Sequence, residues 1–99
     1  MAGLIWSPRA LRDLDAACEF IARDSPKYAY LFAKRTVSLI ETLPRQPLLG
    51  AVVPEYGRKD LRERHFQNYR IVYRVCEGTI EIVSITHAAR LLPPAPTSG

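Results

Sequence analysis

Cysteine, histidine, glycine and long apolar runs are all scarce in this chain of 99 residues. Its two cysteines, Cys18 and Cys76, stand far apart inside apolar patterns, which in a cytosolic setting reads as a pair of inert core thiols. With His65 and His87 they would make up the donors of a zinc site, but no two of these four share a metal-type spacing, so a metal reading is set aside. No glycine-rich phosphate loop is present, and no serine or cysteine sits in a nucleophile motif, so no cofactor is expected. No apolar run has the length of a bilayer-spanning helix. The start MAGLIWSPRA lacks the charged head and apolar middle of a signal peptide, so a cytoplasmic protein without membrane contact is expected. There is no internal repeat, and only the proline-rich end, residues 93–99, is compositionally biased.

What remains is an ordinary globular composition, 47% hydrophobic and 24% charged, with room for one domain over residues 1–92. Lysine and arginine number 14 against 10 acidic residues, a net charge of +4. A small basic protein favours polyanionic partners: nucleic acid, an acidic protein or an anionic membrane surface.

The run GLIW, residues 3–6, is a short strand that stops at Ser7-Pro8. A serine able to cap free N–H groups, followed by a proline that needs none, starts a helix. Leu11, Leu14, Ala17, Cys18 and Ile21 then recur at helical spacing. Ser25-Pro26 repeats the start signal, and a second helix carries Ala29, Phe32, Ala33, Ile40 and Leu43 on one side until Pro44 stops it. Tyr28 and Tyr30 are expected to pack with Phe32. Residues 44–58 hold three prolines and two glycines with no period, and read as a long surface loop. LRERHF, NYRIVYRVC and TIEIVSITHA follow as three strands separated by the turns Gln67-Asn68 and Glu77-Gly78, which requires antiparallel pairing. The tail LLPPAPTSG is expected to fray.

The expected fold is therefore α+β in two layers, with the order β-α-α-β-β-β and a helical hairpin covering one face of an antiparallel sheet. In NYRIVYRV, residues Tyr69, Ile71, Tyr73 and Val75 would face the helices, leaving Arg70 and Arg74 on an open face. Arg62 and Arg64 share a face by the two-residue period and would neighbour Arg70 or Arg74 across the turn, with Arg90 following the last strand. Such forked donors suit phosphate or carboxylate. An equally valid reading of the pattern is a solvated sheet face whose arginines Glu63 or Glu81 neutralise. His65 and His87 could supply the acid and base of a metal-free ribonuclease if they converged, but packing or exposed roles fit two scattered histidines better.

WSPRALRDLDAACEFIARDSP, the loop VPEYG, the strand YRIVYRV and the ending ITHAAR together resemble the RelE/ParE superfamily of type II toxin–antitoxin toxins, over residues 4–92. The resemblance implies the same α+β fold and a cognate antitoxin partner, whose C-terminal segment would fold along the hairpin and sheet. It also implies one of two targets. RelE-like members cut mRNA on the ribosome with lysines on the strand before YRxVY, the arginine of that motif, an arginine after the last strand and commonly a C-terminal tyrosine. Arg70 and Arg90 match the two arginines, with His87 a further candidate, but Leu61 and Glu63 stand near the lysine positions and the tail has no tyrosine.

ParE-like members instead bind and poison DNA gyrase. The VPE loop and the H-x-x-R ending, His87 and Arg90, are more similar to that branch, for which Arg62, Arg64, Arg70, Arg74 and Arg90 would be target or antitoxin contacts. The expected function is accordingly a ParE-like gyrase-inhibiting toxin. The alternatives are a RelE-like endonuclease and an inactive antitoxin-binding module.

Overall fold

The computed structural model describes residues 3–97. Strand β1 (Gly3–Trp6) leads into helices α1 (Pro8–Ala22) and α2 (Pro26–Thr42), then a short 3-10 turn (Leu43–Arg45). Strands β2 (Ala51–Val52), β3 (Leu61–Phe66), β4 (Tyr69–Cys76) and β5 (Thr79–His87) complete the sheet. Both helices begin where the serine–proline pairs predict. Ser7 Oγ accepts from Ala10 N at 3.0 Å, and Ser25 Oγ accepts from Tyr28 N at 3.1 Å. Ser7 also donates to Val83 O at 2.9 Å, which pins the start of α1 to the last strand.

The sheet order is β1-β5-β4-β3-β2. The expected antiparallel meander of β3, β4 and β5 is present, and β1 joins it in parallel along β5, from Gly3 opposite Thr79 to Trp6 opposite Ile82. A bulge interrupts the β4–β5 ladder: Tyr73 pairs with Ile82 but Val72 pairs with Ser84, which leaves Val83 without an opposite residue. Ile82 and Ile85 can therefore both enter the core although they lie three residues apart.

That core lies between the helices and one sheet face. Ala10, Ile40 and Leu43 meet Ile71, Tyr73, Ile80, Ile82 and Ile85, with Trp6, Leu14, Phe66, Tyr69 and Val75 around them. The expected inward half of β4 thus holds. The α1 stripe departs from expectation at its start: Ala17 is buried as expected, but so is Ala10, while Leu11 is half exposed. A small side chain lets the helix approach the sheet closely, and a pattern weighted towards leucine misses Ala10. In α2, Phe32 is buried against Phe66 and Tyr69, but Tyr28 and Tyr30 point to solvent.

Two further expectations are corrected. The segment 44–58 is not a featureless loop, since it contains the 3-10 turn and the edge strand β2, which pairs with Arg62 and Glu63. Two residues are too few to show a period. Gly50, just before β2, packs so closely that a Cβ there would meet the Tyr73 hydroxyl at 2.5 Å and Glu63 O at 2.6 Å. The second sheet face is also not open: Leu61, Val72 and Ser84 on it are fully buried. The loop over residues 53–60 and the tail cover it, so the described part of the tail docks instead of fraying.

Candidate functional site: the arginines of the covered sheet face

Arg70 lies at the centre of this face, opposite His65 on β3 and Thr86 on β5. Its Nε donates to Glu63 Oε1 at 2.6 Å, while Nη1 and Nη2 reach Glu55 at 2.6 and 2.8 Å. Glu63 comes from β3, two residues from the position opposite Arg70, and Glu55 comes from the VPEYG loop folded over the sheet. The motif arginine is therefore held by two carboxylates at once. Hydrogen bonding from Arg70 draws the Glu55 carboxyl down to about 2, and the same bonds, first from Glu55 and then from Glu63, raise the guanidinium pKa further. His65 stands 3.4 Å from the same Glu63 oxygen and is largely exposed.

Arg58 and Arg74 follow the same plan. Arg58 binds Asp60 through Nε at 3.0 Å and Nη2 at 2.7 Å, and Arg74 binds Glu81 through Nε at 3.1 Å and Nη2 at 3.0 Å. Each has Nη1 left over, and each gives it to the tail: Arg58 to Pro96 O at 2.6 Å, Arg74 to Thr97 O at 3.2 Å. The Tyr56 hydroxyl donates to Pro93 O. The reading in which glutamates neutralise this face describes Arg70 and Arg74 well.

The remaining site candidates lie elsewhere. Register places Arg62 opposite Tyr73 and Arg64 opposite Ile71, so both sit on the helix-facing side of the sheet, away from Arg70 and Arg74. The expected neighbourhood is thus corrected, and the signal for it was present. A two-residue turn at Gln67-Asn68 pairs Phe66 with Tyr69, and stepping back by two from each end pairs Arg64 with Ile71. Arg62 is spent on backbone carbonyls, donating to Gly50 O at 3.0 Å and Lys59 O at 3.1 Å.

The two histidines do not converge. His65 lies opposite Arg70 while His87 lies opposite Tyr69, on the other side of the sheet, with its ring edge-on to Tyr69 at 5.2 Å. His87 and Arg90 instead line a cavity between α1 and the end of β5, together with Arg9, Asp13, Phe20 and Thr86. Asp13 is held there by the Ile85 amide, at 2.9 Å. Arg70 does not line that cavity, so the three residues a RelE-like site would use are split between two places. Cys18 approaches Ala29 O, with burial raising its thiol pKa, and among the described residues no group of three or more histidine, cysteine or acidic side chains is arranged to hold a metal.

Sequence reasoning missed Glu55 altogether, because a contact from a loop onto a sheet leaves no period. The clue was chemical: a conspicuous loop glutamate in a chain rich in arginine.

A helical hairpin on an antiparallel-dominated sheet, closed at the edge by a parallel N-terminal strand, is a fold shared with chains of solved toxin–antitoxin systems. The ParDE toxin–antitoxin system of P. aeruginosa includes a chain that superposes with a TM-score of 0.72 at 23% identity, over 88% of this chain and 96% of that one. The YoeB dimer of Staphylococcus aureus gives a TM-score of 0.58 at 19% identity, over 87% and 95%. At these identities the likeness concerns fold. The family follows from the sequence: residues 4–92 match the model described as ParE toxin of type II toxin-antitoxin system, parDE, and the chain belongs to that family, within the RelE/ParE superfamily. Toxin RelE2 of Caulobacter vibrioides is 37% identical over 92 residues, which is 92% of this chain and 100% of the relative. The protein is a toxin of a type II toxin–antitoxin module. Among the described residues, no helix is long and apolar enough to cross a membrane.

Proposed function

We propose that this toxin acts in the ParE manner, inhibiting DNA gyrase by binding it, and that a cognate antitoxin neutralises it. The observation that carries the reading is the state of Arg70. A guanidinium already bonded to Glu55 and Glu63 is poorly placed to receive a scissile phosphate, and Glu63 would repel one. Leu61, near the other position where a RelE-like enzyme would carry lysine, is fully buried. A protein that works by surface contact needs none of these groups free. The family match adds support. For the antitoxin, support comes from the YoeB–YefM toxin–antitoxin complex of Staphylococcus aureus, whose toxin shares the fold at a TM-score of 0.55. Exposed Leu11, Phe20, Tyr28 and Tyr30 give the hairpin apolar anchors that a folding partner segment could bury.

The test is direct. Purified protein should inhibit gyrase supercoiling and accumulate cleaved DNA, and the antitoxin should reverse both. Intact supercoiling at several-fold excess over the enzyme would remove gyrase as the target. The relative named RelE2 favours a second reading, a ribosome-dependent endonuclease, in which His87 and Arg90 act from the α1–β5 cavity. Toeprints at A-site codons of translating ribosomes, lost in Arg90→Ala, would establish it in place of the first.

A further inference from the structure

The tail and the face it covers match in a way that points to a ligand. Among the described residues, the three side chains hydrogen-bonded to the tail are all donors, and the three receiving groups are main-chain carbonyls, of Pro93, Pro96 and Thr97. Both arginines among the donors are fixed and neutralised on their other edge, Arg58 by Asp60 and Arg74 by Glu81. Each presents one N–H in a set direction and little net charge. Such a surface suits a neutral acceptor better than a carboxylate or phosphate, whose charge Asp60 and Glu81 would oppose.

The tail supplies the complementary half. Residues 91–97 carry no charged side chain, and three of them are prolines, which have no N–H to leave unpaired against the Tyr56, Arg58 and Arg74 donors. Proline also holds the chain extended before it binds, so little ordering entropy is lost. A cleft flanks the docked segment, lined by Ser7, Pro8 and Arg12 at the start of α1, by Glu81 and Val83, the residue at the bulge, on β5, and by Pro93, Pro94 and Pro96 of the tail.

We propose that this sheet face is a peptide-binding groove for a neutral, proline-rich, extended segment, filled in cis by residues 93–97 of the chain's own tail. The groove reads main-chain carbonyls through Tyr56, Arg58 and Arg74. It accepts the same kind of peptide in trans once the tail is released. The inference does not depend on whether gyrase or the ribosome is the target.

Nuclear magnetic resonance on the full-length chain tests it. The Ala95 and Thr97 amides should be as rigid as the sheet, with order parameters near about 0.85 against below about 0.6 for a free tail. Tyr56→Phe and Arg58→Lys, each milder than deletion, should both loosen them. In the full-length variant with Pro93, Pro94 and Pro96 changed to glycine, the synthetic peptide LLPPAPTSG should shift the Glu81 and Val83 amides saturably. It should bind the unaltered chain at least tenfold more weakly, because the cis tail competes. The peptide with glutamate in place of its alanine should bind the glycine variant more weakly than the neutral one. A tail as mobile as a free end, no saturable shift in the glycine variant, equal binding to both chains, or tighter binding of the acidic peptide would each overturn the proposal.

Discussion

Arg70 and Glu55, fifteen residues apart in sequence, meet in a two-pronged ion pair that fastens the VPEYG loop onto the sheet. The pair is uneven. The Arg70 side chain is only 11% exposed, whereas Glu55 is 46% exposed, and Arg70 also neutralises Glu63, itself 8% exposed. Most of the energetic consequence therefore rests with the arginine.

Removing the two partners should have unequal effects. Arg70→Met leaves the buried Glu63 carboxylate with only the exposed His65 ring at 3.4 Å, and the stability loss should be on the order of 3 kcal/mol. Glu55→Gln removes a largely solvated charge while keeping an acceptor, and should cost about 1 kcal/mol or less. Urea midpoints at neutral pH compare them. Equal losses would mean that Glu63 is not stabilised by Arg70.

Acid should loosen the same latch. In the folded chain the Glu55 carboxyl sits at about 2 against an ordinary 4.5, and Asp60 is lowered in the same direction by Arg58. A depressed carboxyl pKa means that the unfolded chain binds the proton first as pH falls. This stabilisation is complete above the ordinary value, fades as pH drops from 4.5 towards about 2, and is absent below both. Unfolding midpoints measured across that window should fall with pH, and Glu55→Gln should flatten the slope. Because Glu55 is exposed, added salt should shrink the effect.

The buried Tyr73 hydroxyl ties β4 to the chain before β2, donating to Pro47 O at 2.8 Å and accepting from Gly50 N at 3.0 Å. Tyr73→Phe removes both bonds without opening a large cavity, and should cost about 1–3 kcal/mol through the groups left unpaired. Gly50→Ala should be at least as harmful, because its Cβ would overlap both this hydroxyl and the Glu63 carbonyl. Thermal melts of the two variants, singly and together, check the coupling. Strictly additive losses would show that the glycine and the tyrosine act independently.

These contacts mark the boundary of what the sequence makes legible. Local signals were readable: both serine–proline helix starts, the alternation in β4 and the two hairpin turns are written within a few residues of where they act. The faces of Arg62 and Arg64 were also recoverable, since a two-residue turn sets the pairing of everything behind it. The Arg70–Glu55 pair and the docked tail were not, because both depend on how a loop or a terminus drapes over a finished sheet. Leu11 and Ala10 exchanged roles for an energetic reason: close helix–sheet approach favours alanine, which carries little hydrophobic signal of its own.

The arginines divide into those occupied by the fold and those left over, and the division predicts which substitutions separate stability from function. Arg62 donates to the carbonyls of Gly50 and Lys59, so Arg62→Ala should cost about 1–2 kcal/mol and reduce toxicity only by lowering the folded population. Arg64 and Arg90 hold no ion pair among the described residues. Their alanine variants should remain within about 0.5 kcal/mol of the parent. If either contacts the target, its alanine variant should lose growth inhibition while melting normally. If either instead meets an acidic antitoxin at the rim, its loss should slow association and weaken the salt dependence of the on-rate. Growth assays, melting curves and association rates on the same three variants resolve these cases. Undiminished toxicity and an unchanged on-rate in both Arg64→Ala and Arg90→Ala would show that neither residue is a contact.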